Sequence, residues 1–222
     1  MPPPQLPPPS LPFANRTAAG RALGDAVHDR LARPHDDAAP IVVLGLARGG
    51  VPVATQVAAR LAARVDVLVV RKLGAPSQPE FAFGAIAEGG VTFIDAATVA
   101  GLNLRPDDMA QIKQNEGHEL DARVRNYRGD RPLPDLRDKH VVLVDDGLAT
   151  GATMQAAIRL AENRGATAIT VAIPVAPPES IALLEKKANV ICLHAPRDFG
   201  AVGYFYRDFN APTDDEIRAL IG

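Results

Sequence analysis

The chain of 222 residues has a single cysteine, no tryptophan and few aromatic residues, 5% of the total. One thiol permits no internal disulfide, so the fold must rest on apolar packing. Cys192 itself lies in the apolar run 190–193 and reads as a core residue. No apolar run approaches the ~20 residues of a membrane span. The amino terminus lacks a basic stretch followed by an apolar segment, so no secretory leader is expected and a cytoplasmic protein is the default. His28, His35, His118, His140 and His194 show no metal-ligand spacing. The formal net charge of −2 supplies no field for nucleic acid or a membrane surface. What the chain does have is 47% hydrophobic residues, enough for one sizeable α/β domain. Residues 13–222 are expected to form that domain. Residues 1–12 are proline-rich, cannot bury a core, and read as a disordered tail.

The most informative stretch is 140–153, His-Val-Val-Leu-Val-Asp-Asp-Gly-Leu-Ala-Thr-Gly-Ala-Thr. Val141 to Val144 form an uninterrupted apolar run, the pattern of a strand buried on both faces. Asp145 and Asp146 stand at its carboxyl end, where two adjacent carboxylates are costly unless a cation or hydroxyl group meets them. Gly147 to Thr153 are small, glycine-punctuated and hydroxyl-bearing, and helical patterning follows from Met154. Strand, acid pair, glycine–hydroxyl loop and helix together present loop amides and a helix amino terminus to an anion. The segment carries no lysine, unlike a Walker-type loop, and Gly45-Leu-Ala-Arg-Gly49-Gly50 does not supply a dinucleotide fingerprint.

In this order of four apolar residues, two acids and a Thr-Gly-Ala-Thr loop, the stretch resembles the phosphoribosyl pyrophosphate motif of the type I phosphoribosyltransferases, and the resemblance extends over residues 40–210. It implies a mostly parallel α/β sheet with helices on both faces and a small C-terminal hood. It also implies transfer of a phosphoribosyl group from phosphoribosyl pyrophosphate to a nitrogen acceptor, with release of pyrophosphate. By resemblance, Gly147, Leu148, Ala149, Thr150, Gly151, Ala152 and Thr153 would grip the 5-phosphate. Asp145 and Asp146 would take the ribose hydroxyls and the developing ring charge. Lys72 would join them in catalysis, and Mg²⁺ would be held mainly through the substrate rather than by protein ligands. Enzymes for 6-oxopurines usually carry a third carboxylate where this chain has Ala149, which leaves Glu80 and Glu88 as the nearest proton acceptors by family position.

The flanks carry the remaining expectations. Ile41–Leu46 reads as a buried strand running into Arg48-Gly49-Gly50, an arginine and amides able to hold a second anion. The family loop at that place binds pyrophosphate and often contains a non-proline cis peptide. Asp66–Val70 reads as a third strand, with Arg71 and Lys72 at the root of an irregular segment, 72–84. The family has a flexible lid there, whose cations would face pyrophosphate. Residues 85–88 and 91–95 flank Gly89-Gly90 as a β-hairpin. Residues 106–127 read as a polar surface helix or part of a homodimer contact, with Arg123, Arg125 and Arg128 on a solvated face. Aromatics cluster at 199–209, where Phe205 is expected in the core while Tyr204 and Tyr206 stand on the acceptor side. Residues 213–216 form a capping-box pattern. A non-catalytic sensor of phosphoribosyl pyrophosphate or a nucleotide is the alternative; the chain shows no recognition helix for DNA.

Overall fold

The computed structural model describes residues 10–31, 39–76 and 78–222, without the side chains of Pro79 and Glu80. Most of the expected tail (residues 1–9), most of the polar segment 34–40, and Glu80 as a proton acceptor therefore lie outside what is described. Among the described residues, helices run α1 Arg16–Leu31, α2 Gly50–Leu61, α3 Ala96–Gly101, α4 Pro106–Arg128, α5 Ala152–Asn163, α6 Pro178–Leu184 and α7 Asp214–Ile221. Strands run β1 Ile41–Leu46, β2 Arg64–Leu68, β3 Val70–Ala75, β4 Gln78–Ala87, β5 Thr92–Ile94, β6 His140–Val144, β7 Ala168–Val175 and β8 Asn189–His194. β2-β1-β6-β7-β8 form a parallel sheet and β3-β4-β5 an antiparallel one.

Strand periodicity divides the parallel sheet between two cores. Val42, Leu44, Val141, Leu143, Val171 and Ile173 face α5, whereas Val43, Val142, Val144 and Ala172 face α1 and α2. Runs such as Val141–Val144 are apolar throughout because both faces are covered, as parallel sheets require. Full burial of each such side chain stabilises by about 1.5–3 kcal/mol. Gly45 interrupts β1 because α2 crosses there at close range: a Cβ would come within 2.8 Å of the Val51 Cα. α5 lies between the two sheets, which accounts for its nearly continuous burial from Met154 to Ala161.

Three expectations are corrected here. Residues 72–75 and 78–84 lie in the two strands of an antiparallel ribbon rather than in an irregular loop. The register shifts on either side of Gly74, Pro76 stands at the turn, and Phe83 of β4 is fully buried. Arg128 is buried, not solvated; it donates to Val67 O at 2.8 Å and pairs with Glu88. Glu88 also accepts from Val69 N at 2.9 Å, so this carboxylate ties α4 to the ribbon's foot and is not placed as a free proton acceptor. Cys192 is partly buried and donates to His194 O at 3.1 Å. No helix among the described residues is long and apolar enough to cross a membrane.

Candidate functional site

The site lies at the carboxyl ends of β1, β2 and β6. Chain direction in a parallel sheet brings the connecting loops together at that edge. β6 delivers the segment 145–151 into α5. Leu148 is buried and its amide donates to Val175 O at 3.0 Å, which pins the loop's middle. Ala149 and Thr150 are exposed, and the Ala149 carbonyl accepts from Ser180 Oγ at 2.5 Å. Gly147 leaves no space for a side chain: a Cβ would lie 2.5 Å from Val202. Gly151, at φ 75°, takes the left-handed turn into α5 and offers no capping side chain. The first amides of α5, at Ala152 and Thr153, are therefore open to an external acceptor.

The acid pair is constrained by a residue far away in sequence. Arg16, at the start of α1, donates from Nε to Asp146 Oδ2 at 2.7 Å and from Nη1 to Asn210 O at 2.7 Å. Tyr206 donates its hydroxyl to the Asp146 carbonyl at 2.6 Å. Asp145 is the more exposed acid, and its Oδ1 accepts from the Asp146 amide at 2.9 Å. Burial and the adjacent Asp146 carboxylate hold Asp145 well above the usual carboxylate range. Burial also raises Asp146, with Arg16 opposing the rise.

The loop after β1 rests on these acids. The Ala47–Arg48 peptide is cis, as the family resemblance implied. A Cβ on Gly49 would lie 2.0 Å from Asp146 Oδ2, and one on Gly50 would lie 2.5 Å from Val144 O. Only glycine permits this approach. Arg48 leaves the loop toward α7, with Nη1 3.8 Å from Asp214. Asp214 also accepts from Tyr127 at 2.9 Å, and burial with this bond pushes the phenol up to about 12.

A cleft of about 630 Å³ opens between β3 and α4. It brings Thr153, in the first turn of α5, together with Arg71 and Lys72, and adds Ile112, Glu116 and Arg123 from α4. Arg71 meets Glu116 through both Nε and Nη2 at 2.6 Å, a partner 45 residues away. The aromatic cluster divides. Tyr204 is 79% exposed, whereas Tyr206 is buried, with Phe13 and Phe209 rings at 5.5 and 5.0 Å. Tyr206 thus braces the acid pair and is not a free stacking surface. Phe205, expected in the core, is half-buried against Phe199 at 5.3 Å.

Sequence reasoning missed Arg16, Glu116 and the part played by Arg123. Glu116 and Arg123 stand seven residues apart on α4, hence on one helical face, but so do many solvated charges. Nothing local marks Arg16.

Comparison with known proteins gives a consistent picture. The phosphoribosyl transferase domain family matches residues 16–206. A Mycobacterium tuberculosis protein, provisionally named a phosphoribosyl transferase, is 44% identical over 210 residues, covering 94% of this chain and 46% of that protein. The chain thus spans about half the length of the curated relatives it first matches. The crystal structure of TT1426 from Thermus thermophilus is 40% identical with a TM-score of 0.78, over 94% of this chain and 97% of that one. A uracil phosphoribosyltransferase of Aquifex aeolicus is 29% identical over 111 residues, half of each chain.

Proposed function

Because the chain belongs to the phosphoribosyl transferase domain family, we propose that it transfers the 5-phosphoribosyl group of phosphoribosyl pyrophosphate to a nitrogen acceptor of the nucleobase kind. The observation that carries this reading is that Thr153, in the first turn of α5 just after the acid pair and its loop, opens into the same cleft as Arg71 and Lys72. A ligand with a phosphate at one end and a pyrophosphate at the other matches that separation of an amide-rich loop from a cationic wall.

In the proposed reaction the bond between ribose C1 and the pyrophosphate oxygen breaks, and a bond from C1 to the acceptor nitrogen forms. The acceptor's proton is lost and pyrophosphate leaves with the bonding electron pair. The residues 147–153 bind the 5-phosphate through amides and the Thr150 and Thr153 hydroxyls. The acid pair, led by the more exposed Asp145, accepts ribose hydroxyls and lies near the positive charge that develops on the ring. The loop Arg48-Gly49-Gly50, with Arg71 and Lys72, receives pyrophosphate. The β3–β4 ribbon screens the reacting carbon from water, which would otherwise compete with the acceptor.

Among the described residues no three His, Cys, Asp or Glu side chains cluster as a metal site. Magnesium in this reading is carried on substrate oxygens, where it would neutralise pyrophosphate charge beside Arg71 and Lys72. The test is pyrophosphate release from phosphoribosyl pyrophosphate and magnesium across a panel of nucleobases. Release dependent on one base supports the reading. Tight binding with no release for any acceptor supports the sensor instead.

A further inference from the structure

The most heavily invested polar contact in the site comes from outside both substrate loops. Arg16 and Asp146 have side chains only 10% and 13% exposed. The guanidinium lies 3.9 Å over the Phe209 ring while donating to Asp146 Oδ2 and to Asn210 O. Its helix is seated without play: a Cβ on Gly20 would come within 2.9 Å of Val53 O, and one on Gly24 within 3.1 Å of Arg60 Cβ. Gly49 lies on top of the ion pair, since its Cβ would meet Asp146 Oδ2 at 2.0 Å and Arg16 Nε at 3.2 Å. From the other side, Tyr206 holds the Asp146 backbone. The carboxylate of Asp146 is thus engaged on its Oδ2 side by a cation and covered by the loop that carries Arg48.

We infer that Arg16 is a positioning residue which, acting through Asp146, fixes the acid pair and the Arg48-Gly49-Gly50 loop in the register that phosphoribosyl pyrophosphate requires. The inference rests on the proposed transferase reading. Asp145 follows Asp146 rigidly, because the two are adjacent and the Asp146 amide donates to the Asp145 carboxylate. Gly49 and Gly50 sit against Asp146 and Asp145 respectively, so a shift of the acids displaces both substrate loops together. A displacement of about 1 Å at reacting groups is enough to cost about 10²-fold in rate.

The test is a double-mutant cycle of Arg16→Met and Asp146→Ala, since alanine leaves no acceptor for the guanidinium. Turnover gives KM and kcat, calorimetry gives phosphoribosyl pyrophosphate affinity, and thermal unfolding identifies variants that remain folded. Arg16→Lys is carried alongside, because it keeps a buried cation where Arg16→Met could fail to fold. In the Asp146 background, Arg16→Met should lower kcat/KM by about 10²-fold, with Arg16→Lys intermediate. In the Asp146→Ala background the same change should have little further effect. Equal effects of Arg16→Met in both backgrounds would overturn the inference, since Arg16 would then act independently of Asp146. Wild-type kcat/KM in a folded Arg16→Lys or Arg16→Met would overturn it as well. A wild-type chain that neither binds nor turns over phosphoribosyl pyrophosphate would overturn the transferase reading and the inference with it, which separates the two failures.

Discussion

The segment after β6, residues 145–153, and the ribbon of β3 and β4 serve one cleft, but they are built by different physics. The first is shaped by its own sequence: glycines set the turn, Leu148 anchors its middle, and α5 follows at once. The second contains Gly74 and runs into Pro76, yet its described residues form an ordered ladder because of partners elsewhere. Phe83 fills a core shared with Leu120 of α4, Glu88 pairs with Arg128, and Arg71 pairs with Glu116. Local chemistry can specify a loop; only tertiary partners can turn breaker-rich sequence into a strand.

Breaking the first region should have the largest effect. Asp145→Asn with Asp146→Asn is expected to reduce turnover by about a thousandfold or more, with the fold retained because asparagine keeps an oxygen for Arg16. Wild-type pyrophosphate release by the double variant would remove the acid pair from the mechanism. The ribbon's dependence on a distant partner comes next. Glu88→Ala leaves Arg128 buried without its counter-ion and should lower stability by about 3–5 kcal/mol; unchanged urea unfolding would mean that the ribbon stands without it.

Two smaller effects sharpen the contrast. A nucleoside monophosphate should bind about tenfold to hundredfold more tightly than its nucleoside, since the phosphate meets several amides of 147–153. Equal calorimetric affinities would dissociate that loop from the phosphate. The smallest effect is one of pH. Asp145 has its carboxyl raised by burial and by Asp146, so the folded chain holds a proton that the unfolded chain has released. Stability is then lost as pH rises from the unfolded value through the raised folded one. Asp145→Asn should therefore raise the melting temperature at pH 7, and the gain should shrink as pH falls toward 4. A gain independent of pH would contradict the burial of this acid.

Much of the fold was legible because it rests on short-range signals. The apolar runs of β1 and β6 announced a doubly covered sheet, and Thr213-Asp-Asp-Glu216 announced the cap of α7, where Thr213 and Glu216 exchange bonds. The order of strand, acid pair, glycine loop and helix is that of β6, the segment 145–151 and α5. What remained hidden depends on contacts across the chain. Arg16 and Asp146 are 130 residues apart, and Arg71 and Glu116 are 45 apart. A single sequence contains no signal for such pairings. The same reason explains Tyr206: besides Phe209, its ring meets Phe13, brought alongside from 193 residues away by an isolated bridge between the two.

The lone thiol has a practical consequence. Burial pushes Cys192 up to about 11, so at neutral pH roughly one molecule in ten thousand carries the thiolate that reacts with electrophiles. The chain is thus a quiet background for site-directed labelling. A cysteine introduced at Phe81, 60% exposed on the ribbon, should react with a maleimide dye far faster than Cys192. A fluorophore there would report ribbon motion on ligand addition without removal of the native cysteine.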